Sequence, residues 1–263
     1  MKNINIKKLL ENIEGKKSVS DKLHAFTKNK KLDISSTIDV PQSWIKIHFK
    51  TYPRLDRIQL HNINTSKLSE IIKKRHSSRK FSGLSMSRED LFHLLFFSCG
   101  ITSRGKTLDD SRRPYPSAGA RYPLEVYPIV LNCEGINKGL YHYNVKENSL
   151  ELLLEENLNK WITKITGGEK WISNSGVVFV ITGVLDRTRI KYGDRGYRYI
   201  LIEAGHLAQN ICLLATELGL GSCCMGGFID NELNKLLDIN LQKEVTLYLI
   251  AVGKLPKRNT ELN

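Results

Sequence analysis

Four short stretches of the chain carry side chains that can do chemistry. In "RHSSRKFSG" (Arg75 to Gly83), Arg75 and Arg79 stand four residues apart around Ser77 and Ser78. Guanidinium forks and hydroxyls that converge on one small anion suit a phosphate. The same cations at a helix end would also complement its dipole, so these residues alone leave two readings. In "RRPYPSAGARYPLEVYPIV" (Arg112 to Val130), four of the seven prolines lie beside three arginines. Proline fixes the backbone at Pro114 and Pro116, which predicts that the amides of Ser117, Ala118 and Gly119 are free to meet an acceptor. A plain surface turn entering a strand fits as well. No G-x-x-x-x-G-K-[ST] and no G-x-G-x-x-G occurs, which excludes a P-loop and a Rossmann turn.

The third stretch, "RIKYGDRGYRY", sets Lys191 and Tyr192 among Arg189, Arg195 and Arg198. A lysine beside a tyrosine lowers the phenol's pKa electrostatically and lets it carry a proton, although such neighbours are common by chance. The fourth, "GLGSCCMGGF" (Gly219 to Phe228), ends in a glycine pair that admits a flat ligand or makes an ordinary turn. Glu203 and His206 form a single E-x-x-H. Carboxylate-bridged metal bundles need that pattern twice, so no metal is expected and His206 reads as a packed or interface histidine. The five cysteines are odd in number and lack C-x-x-C spacing, which speaks against a disulfide framework and a zinc site.

These stretches sit in a chain of 263 residues, 41% hydrophobic and 25% charged, enough for a substantial core. The formal net charge of +13 asks for an anionic partner. Residues 1–50 hold eleven lysines, no arginine and five acids, and a lysine-only excess reads as a solvated surface. No helix-turn-helix, zinc-finger or RNA-binding signature is present, so nucleic acid is not the expected partner. The longest apolar runs, such as "GVVFVITGVL" (Gly176 to Leu185), fall short of the roughly 20 residues that span a bilayer. The amino terminus lacks the apolar run and cleavage site of a secretory signal. The expected setting is cytoplasmic, away from membranes.

The elements that must position the four stretches begin at Ser66; residues 1–65 read as a Lys-rich extension that could dock a partner, and 66–263 as the working domain. "SKLSEIIKKRHS" and "SREDLFHLLFFSCG" each open on a serine cap and predict short helices, the second stopped by Gly100. The "LEVYPIV" tail reads as a strand in which Pro128 demands an edge or a bulge. "GLYHYNV" and "NSLELLLE" predict a hairpin, and the segment around Trp161 a helix broken at Gly167 and Gly168. "GVVFVITGVL" predicts a buried strand, "YRYILIEAGHLAQNICLLATELGLG" a long amphipathic helix, and "EVTLYLIAVGK" a closing strand. Helices and strands mix without strict alternation, which predicts an α+β fold with a mostly antiparallel sheet flanked by helices.

In this order the four stretches resemble the nitroreductase-like flavoproteins, and among them the SagB/McbC-type dehydrogenases that oxidise azolines during thiazole- and oxazole-peptide maturation. "RHSSRKF" resembles the family's R-[RH]-S-x-R-x-F, and "RRPYPSAGARYPLEVY" its P-S-[AG]-G-A-x-Y-P-x-E-V. "YRYILIEAGHLAQN" with "GLGSCCMGGF" is similar to its core helix and exit. The resemblance runs from about Lys50 to Lys254. It implies a domain-entwined homodimer with one FMN at each of two interface sites. It further implies that Arg75, Ser77 and Arg79 hold the phosphate and flavin edge. Pro116, Ser117, Ala118 and Gly119 would line the ring, Gly226 and Gly227 would present backbone to it, and Lys254 would reach the phosphate. "KYGDRGYRY" is similar to the segment in which microcin-type azoline dehydrogenases use a Lys-Tyr pair, which implies Lys191 and Tyr192 as catalytic residues. The implied partners are an azoline-containing precursor peptide and cyclodehydratase subunits, with dioxygen as the final electron acceptor. An NAD(P)H-dependent nitro or quinone flavin reductase, and a flavin-bearing scaffold subunit, are the alternatives.

Overall fold

The computed structural model describes residues 18–31, 49–60, 63–108 and 110–257. Its elements run α1 (Val19–Thr27), α2 (Lys67–Lys74), α3 (Arg88–Cys99), a 3-10 turn (Ala118–Ala120), β1 (Leu124–Val130), β2 (Gly139–Asn144) and β3 (Ser149–Glu155). They continue through α4 (Asn159–Ile165), a second 3-10 turn (Lys170–Asn174), β4 (Val177–Val184), α5 (Leu185–Tyr192), α6 (Arg195–Glu217), β5 (Leu220–Met225), α7 (Asp230–Leu236) and β6 (Glu244–Lys254). The predicted caps form: Ser66 Oγ accepts the Ser69 amide, Ser87 Oγ accepts the Asp90 amide, and the Gly100 amide closes α3 on Phe96 O. Each satisfies a group that a helix end would otherwise leave unpaired.

The six strands form one sheet in the order β3-β2-β1-β4-β6-β5, and every named pairing is antiparallel. β4 is central and buried along nearly its whole length. Val177, Phe179 and Ile181 enter one core while Val178 and Val180 enter another on the opposite face. Burial on both faces is why its sequence reads as an unbroken apolar run instead of an alternating one. α6 packs on the first face through Ile200, Ala204, Leu207, Ala208 and Ile211. The second face is covered by Ile162 and Ile165 of α4 and Leu233 of α7. No helix among the described residues is long and apolar enough to cross a membrane.

Pro128 lies at neither of the two places expected for it, a sheet edge or a bulge of its own strand. β1 is an interior strand, paired with β4 along its full length, but its ladder to β2 covers only Ile129 and Val130. Pro128 lies just outside that ladder, and the β2–β3 register shifts beside it between Leu140 and Tyr141. A residue without an N–H is tolerated where the ladder has stopped.

Of the extension predicted over 1–65, residues 1–17, 32–48 and 61–62 lie outside the described residues. Residues 18–31 contain α1, which a capping box between Ser18 and Asp21 starts. This helix packs on the corner between α5 and α6. Ser20 Oγ donates to Asp194 Oδ1 at 3.0 Å, and His24 Nδ1 shares a 2.9 Å hydrogen bond with Tyr197 Oη. The buried guanidinium of Arg189 donates to Ser20 and Asp21. The Asn29 amide donates to Asp230 Oδ2 at 2.9 Å.

His24 makes this corner sensitive to acid. Burial, reinforced by the Lys28 charge, lowers its pKa from 6.5 to about 4. Below pH 6.5 the unfolded chain therefore takes up the proton first, so the stability held at neutral pH is lost between pH 6.5 and 4. The expected loss by pH 4.5 is roughly 2–3 kcal/mol. Urea denaturation at pH 7.5 and 4.5 checks it: His24→Gln should lose less stability than the parent across that interval, and equal losses would contradict the assignment.

Candidate functional site

The Pro116–Gly119 turn and the Lys191-Tyr192 pair, 72 residues apart between Gly119 and Lys191, meet in space. Gly119 has φ +64°, and a Cβ placed on it would lie 2.9 Å from Tyr192 Oη and 3.1 Å from Lys191 Nζ. Both polar tips thus converge on the face of the turn that Gly119 leaves bare. Only glycine combines that left-handed backbone with so close an approach. Tyr192 leans edge-on against Tyr199 with ring centroids 5.0 Å apart, and Lys191 Nζ lies 5.4 Å from the Tyr192 centroid. The α5 helix ends there because Gly193, with φ +57°, turns the chain into α6.

Of the three amides expected to meet an acceptor, only that of Ala118 has a partner among the described residues. The Ala118 amide donates to Glu203 Oε1 at 2.9 Å, the Tyr122 amide to Ser117 Oγ at 2.8 Å, and the Ala120 amide to Ser117 O at 3.0 Å. Ala120 and Tyr122 also take positive φ, 54° and 45°. Non-glycine residues in that region mark a locally strained loop that its surroundings over-determine. Glu203, on α6, is 2% exposed, and its Oε2 is a buried atom with no hydrogen-bond partner. Burial raises its pKa despite the Ala118 amide. The sequence alone singles out no role for Glu203; His206 is exposed, whereas Glu203 faces the turn.

The arginine stretch assembles with the glycine exit. Ser78 donates its amide to Ser222 O at 2.8 Å, and Ser77 bridges Ser222, so Arg75 to Arg79 run beside the start of β5. Arg75 caps α2, and its charge acts on Cys212 of α6, while that of Arg79 acts on Cys223 of β5. Ser77 and Arg79 are exposed, and β5 runs directly into Gly226 and Gly227, where an added Cβ would meet nothing within 4 Å. Two guanidinium groups, a hydroxyl and an open glycine floor fit an anionic group with a flat ring, the chemistry of FMN. Lys254 stands aside, its Nζ directed at Glu134 Oε1 at 3.8 Å.

The two assemblies flank α6. Glu203 and Cys212 are nine residues apart, which separates them by about 13 Å along the axis and about half a turn around it. On its exposed side the helix carries Leu201 and Ile202, 44% and 49% accessible, with Gly205 and His206. Outside the turn lies a cleft of about 690 Å³ lined by Arg112, Arg113, Arg121, Lys146 and Arg187.

Residues 72–254 match the sequence model of the nitroreductase family. The chain is 36% identical over 197 residues to a Methanocaldococcus jannaschii protein named as a nitroreductase, covering 75% of this chain and 96% of that one. It is 32% identical over 147 residues to the microcin B17-processing protein McbC of Escherichia coli, covering 54% of each. A chain of the solved Escherichia coli microcin synthetase McbBCD complex, with truncated pro-MccB17 bound, shares the fold with a TM-score of 0.72 at 21% identity. That match covers 97% of this chain and 99% of the other.

Removing the acceptor of the Ala118 amide should loosen the turn. Glu203→Ala is expected to cost about 2 kcal/mol, because a buried N–H loses its partner. Glu203→Gln keeps an acceptor and should stay within about 0.5 kcal/mol of the parent. Denaturant titration measures both, and equal losses would remove the assigned role.

Proposed function

The chain belongs to the nitroreductase family, and we propose that it is an FMN-dependent dehydrogenase that oxidises thiazoline or oxazoline rings in a ribosomally made precursor peptide. The observation that carries this reading is the convergence of Lys191 Nζ and Tyr192 Oη on Gly119. The similarity to a microcin B17-processing protein supports it. Aromatising an azoline removes a proton from the α-carbon and a hydride from the ring methylene. FMN, when bound, supplies the hydride acceptor. In this step Tyr192, acting as its phenolate, takes the proton on its oxygen beside the Lys191 ammonium; the exchanged roles, with Lys191 as the free amine, are also compatible. Dioxygen serves as the final electron acceptor.

In this reading Arg75, Ser77 and Arg79 hold the phosphate and flavin edge, Gly226 and Gly227 present backbone to the ring, and Pro116, Ser117, Ala118 and Gly119 form its wall. Lys254 joins the phosphate only by leaving Glu134. The two assemblies lie on opposite flanks of α6, so a complete site needs the arginine side of one copy to meet the Pro116 turn of another. The exposed Leu201 and Ile202 on α6 suit that contact. The protein is accordingly assigned as a homodimer, acting with cyclodehydratase subunits. The cleft beside the turn keeps an excess of cations after Arg187 pairs with Glu125, and so suits an acidic or strongly polar peptide segment.

Purified protein is expected to bind FMN, and each azoline ring in an added peptide should lose about 2 Da by mass spectrometry. Lys191→Ala and Tyr192→Phe should each lower that rate by about 100-fold or more with FMN retained. Arg75→Ala should instead weaken FMN retention by about 10-fold. Unchanged turnover in both Lys191 and Tyr192 variants would remove the catalytic assignment. Oxidation of NADPH with quinones, and none of peptides, would favour a flavin reductase; assembly of the synthetase without any turnover would favour a scaffold.

The dimer is tested separately. Light scattering should give twice the chain mass for the parent, and Ile202→Glu should give monomer together with lost FMN. A monomeric parent that still retains FMN would overturn the shared-site arrangement.

A further inference from the structure

We propose that Cys212 and Cys224 form a reversible disulfide that ties α6 to β5, with hydrogen peroxide as the oxidant. Their Sγ atoms lie 3.4 Å apart, within hydrogen-bond contact, on two elements packed against each other. A disulfide needs about 2.05 Å between sulfurs, so closure asks for a contraction of only about 1.4 Å. The pairing is selective. Cys223 follows the strand alternation to the other face; it is 1% exposed, and its thiol donates to Cys224 O. Cys99 donates to Leu95 O inside α3, and burial pushes its thiol up to about 12. Cys133 lies by Ser87 O, its thiol pushed up to about 11 by burial.

Cys212 is the nucleophile of the pair. The hydrogen bond from Cys224 favours its thiolate; burial opposes this, while Ser222 and the Arg75 charge add to it. A thiolate next to a second thiol is the arrangement that reacts fastest with peroxide and is then resolved to a disulfide. Cys212 itself is 4% exposed, but Cys224 is only half-buried and opens the pair to a small oxidant.

The steps balance. The Cys212 thiolate attacks one peroxide oxygen, the O–O bond breaks, hydroxide leaves, and a sulfenic acid remains. The Cys224 sulfur attacks that sulfenic sulfur and gives up its thiol proton as the hydroxyl leaves. Counting the proton that Cys212 gave up first, two thiols and one peroxide become one disulfide and two waters. Thiol reductants reverse the bond by exchange. The inference stands on the sulfur geometry and does not depend on the proposed dehydrogenase. Its consequence lies nearby: β5 leads straight into Gly226 and Gly227, and oxidation removes the thiolate that faces Arg75.

The test uses the reduced full-length protein, treated with a small molar excess of hydrogen peroxide, quenched, then alkylated in denaturant and peptide-mapped. Of its five cysteines, two should escape alkylation, with a Cys212–Cys224 linked peptide that dithiothreitol removes. Cys223→Ala should leave that loss of two unchanged, whereas Cys212→Ala and Cys224→Ala should each abolish the linked peptide. Five alkylated cysteines, a link through Cys223, or sulfinic acid at Cys212 without a link would overturn the proposal. The map of the unsubstituted protein decides the matter even where an alanine variant does not fold.

Discussion

The packing of α6 on the β4 face is the constraint on which the rest depends. Ile200, Leu207 and Ile211 bury against the side of the sheet that carries Val177, Phe179 and Ile181, with Ala204, Ala208 and Ala215 between them. Each large side chain contributes roughly 1.5–3 kcal/mol by leaving water, and the alanines let the helix lie close. That stripe fixes the rotation of α6 about its axis. Rotation in turn decides that Glu203 emerges on one flank, under the Ser117–Tyr122 turn, and Cys212 on the other, beside Arg75 and β5. A helix turned by one residue would lose both partnerships at once.

Polar groups then complete what the apolar stripe begins. Glu203 trades part of its hydration for the Ala118 amide, and the turn it holds carries three residues with positive φ at 119, 120 and 122. Such a backbone is costly on its own account and persists only when several contacts demand it. Here the demands come from Glu203, from Ser117 and from the tips of Lys191 and Tyr192. The turn side of the site is thus held by several contacts at once, and the α5 side chains approach it there.

Much of this was legible in the residues. The serine caps at Ser66 and Ser87, the β-branched run of β4 and the 3.6-residue period of α6 each follow from local physics, and each marks an element at or near its observed limits. The meeting of Gly119 with Lys191 and Tyr192 was not legible from spacing, because it depends on how a turn before β1 sits against a helix after β4. Pro128 misled in a similar way: an interior strand can tolerate proline where one neighbouring ladder ends, a fact of register that composition does not carry. Glu203 was not singled out because its partner is a main-chain amide, and backbone partners leave no side-chain pattern. The S-x-x-D start of α1 was readable as a capping box, although the lysines around it masked it as a solvated tail.

The position of α1 bears on where this domain begins. The family match starts at residue 72, yet Asp21 is the carboxylate that answers the buried Arg189 charge two residues before Lys191. Trimming the chain to its matched segment would remove Ser20 and Asp21, the partners of that guanidinium, and uncover the end of α5. The contacts that hold α5 in place therefore reach beyond the segment recognisable by descent.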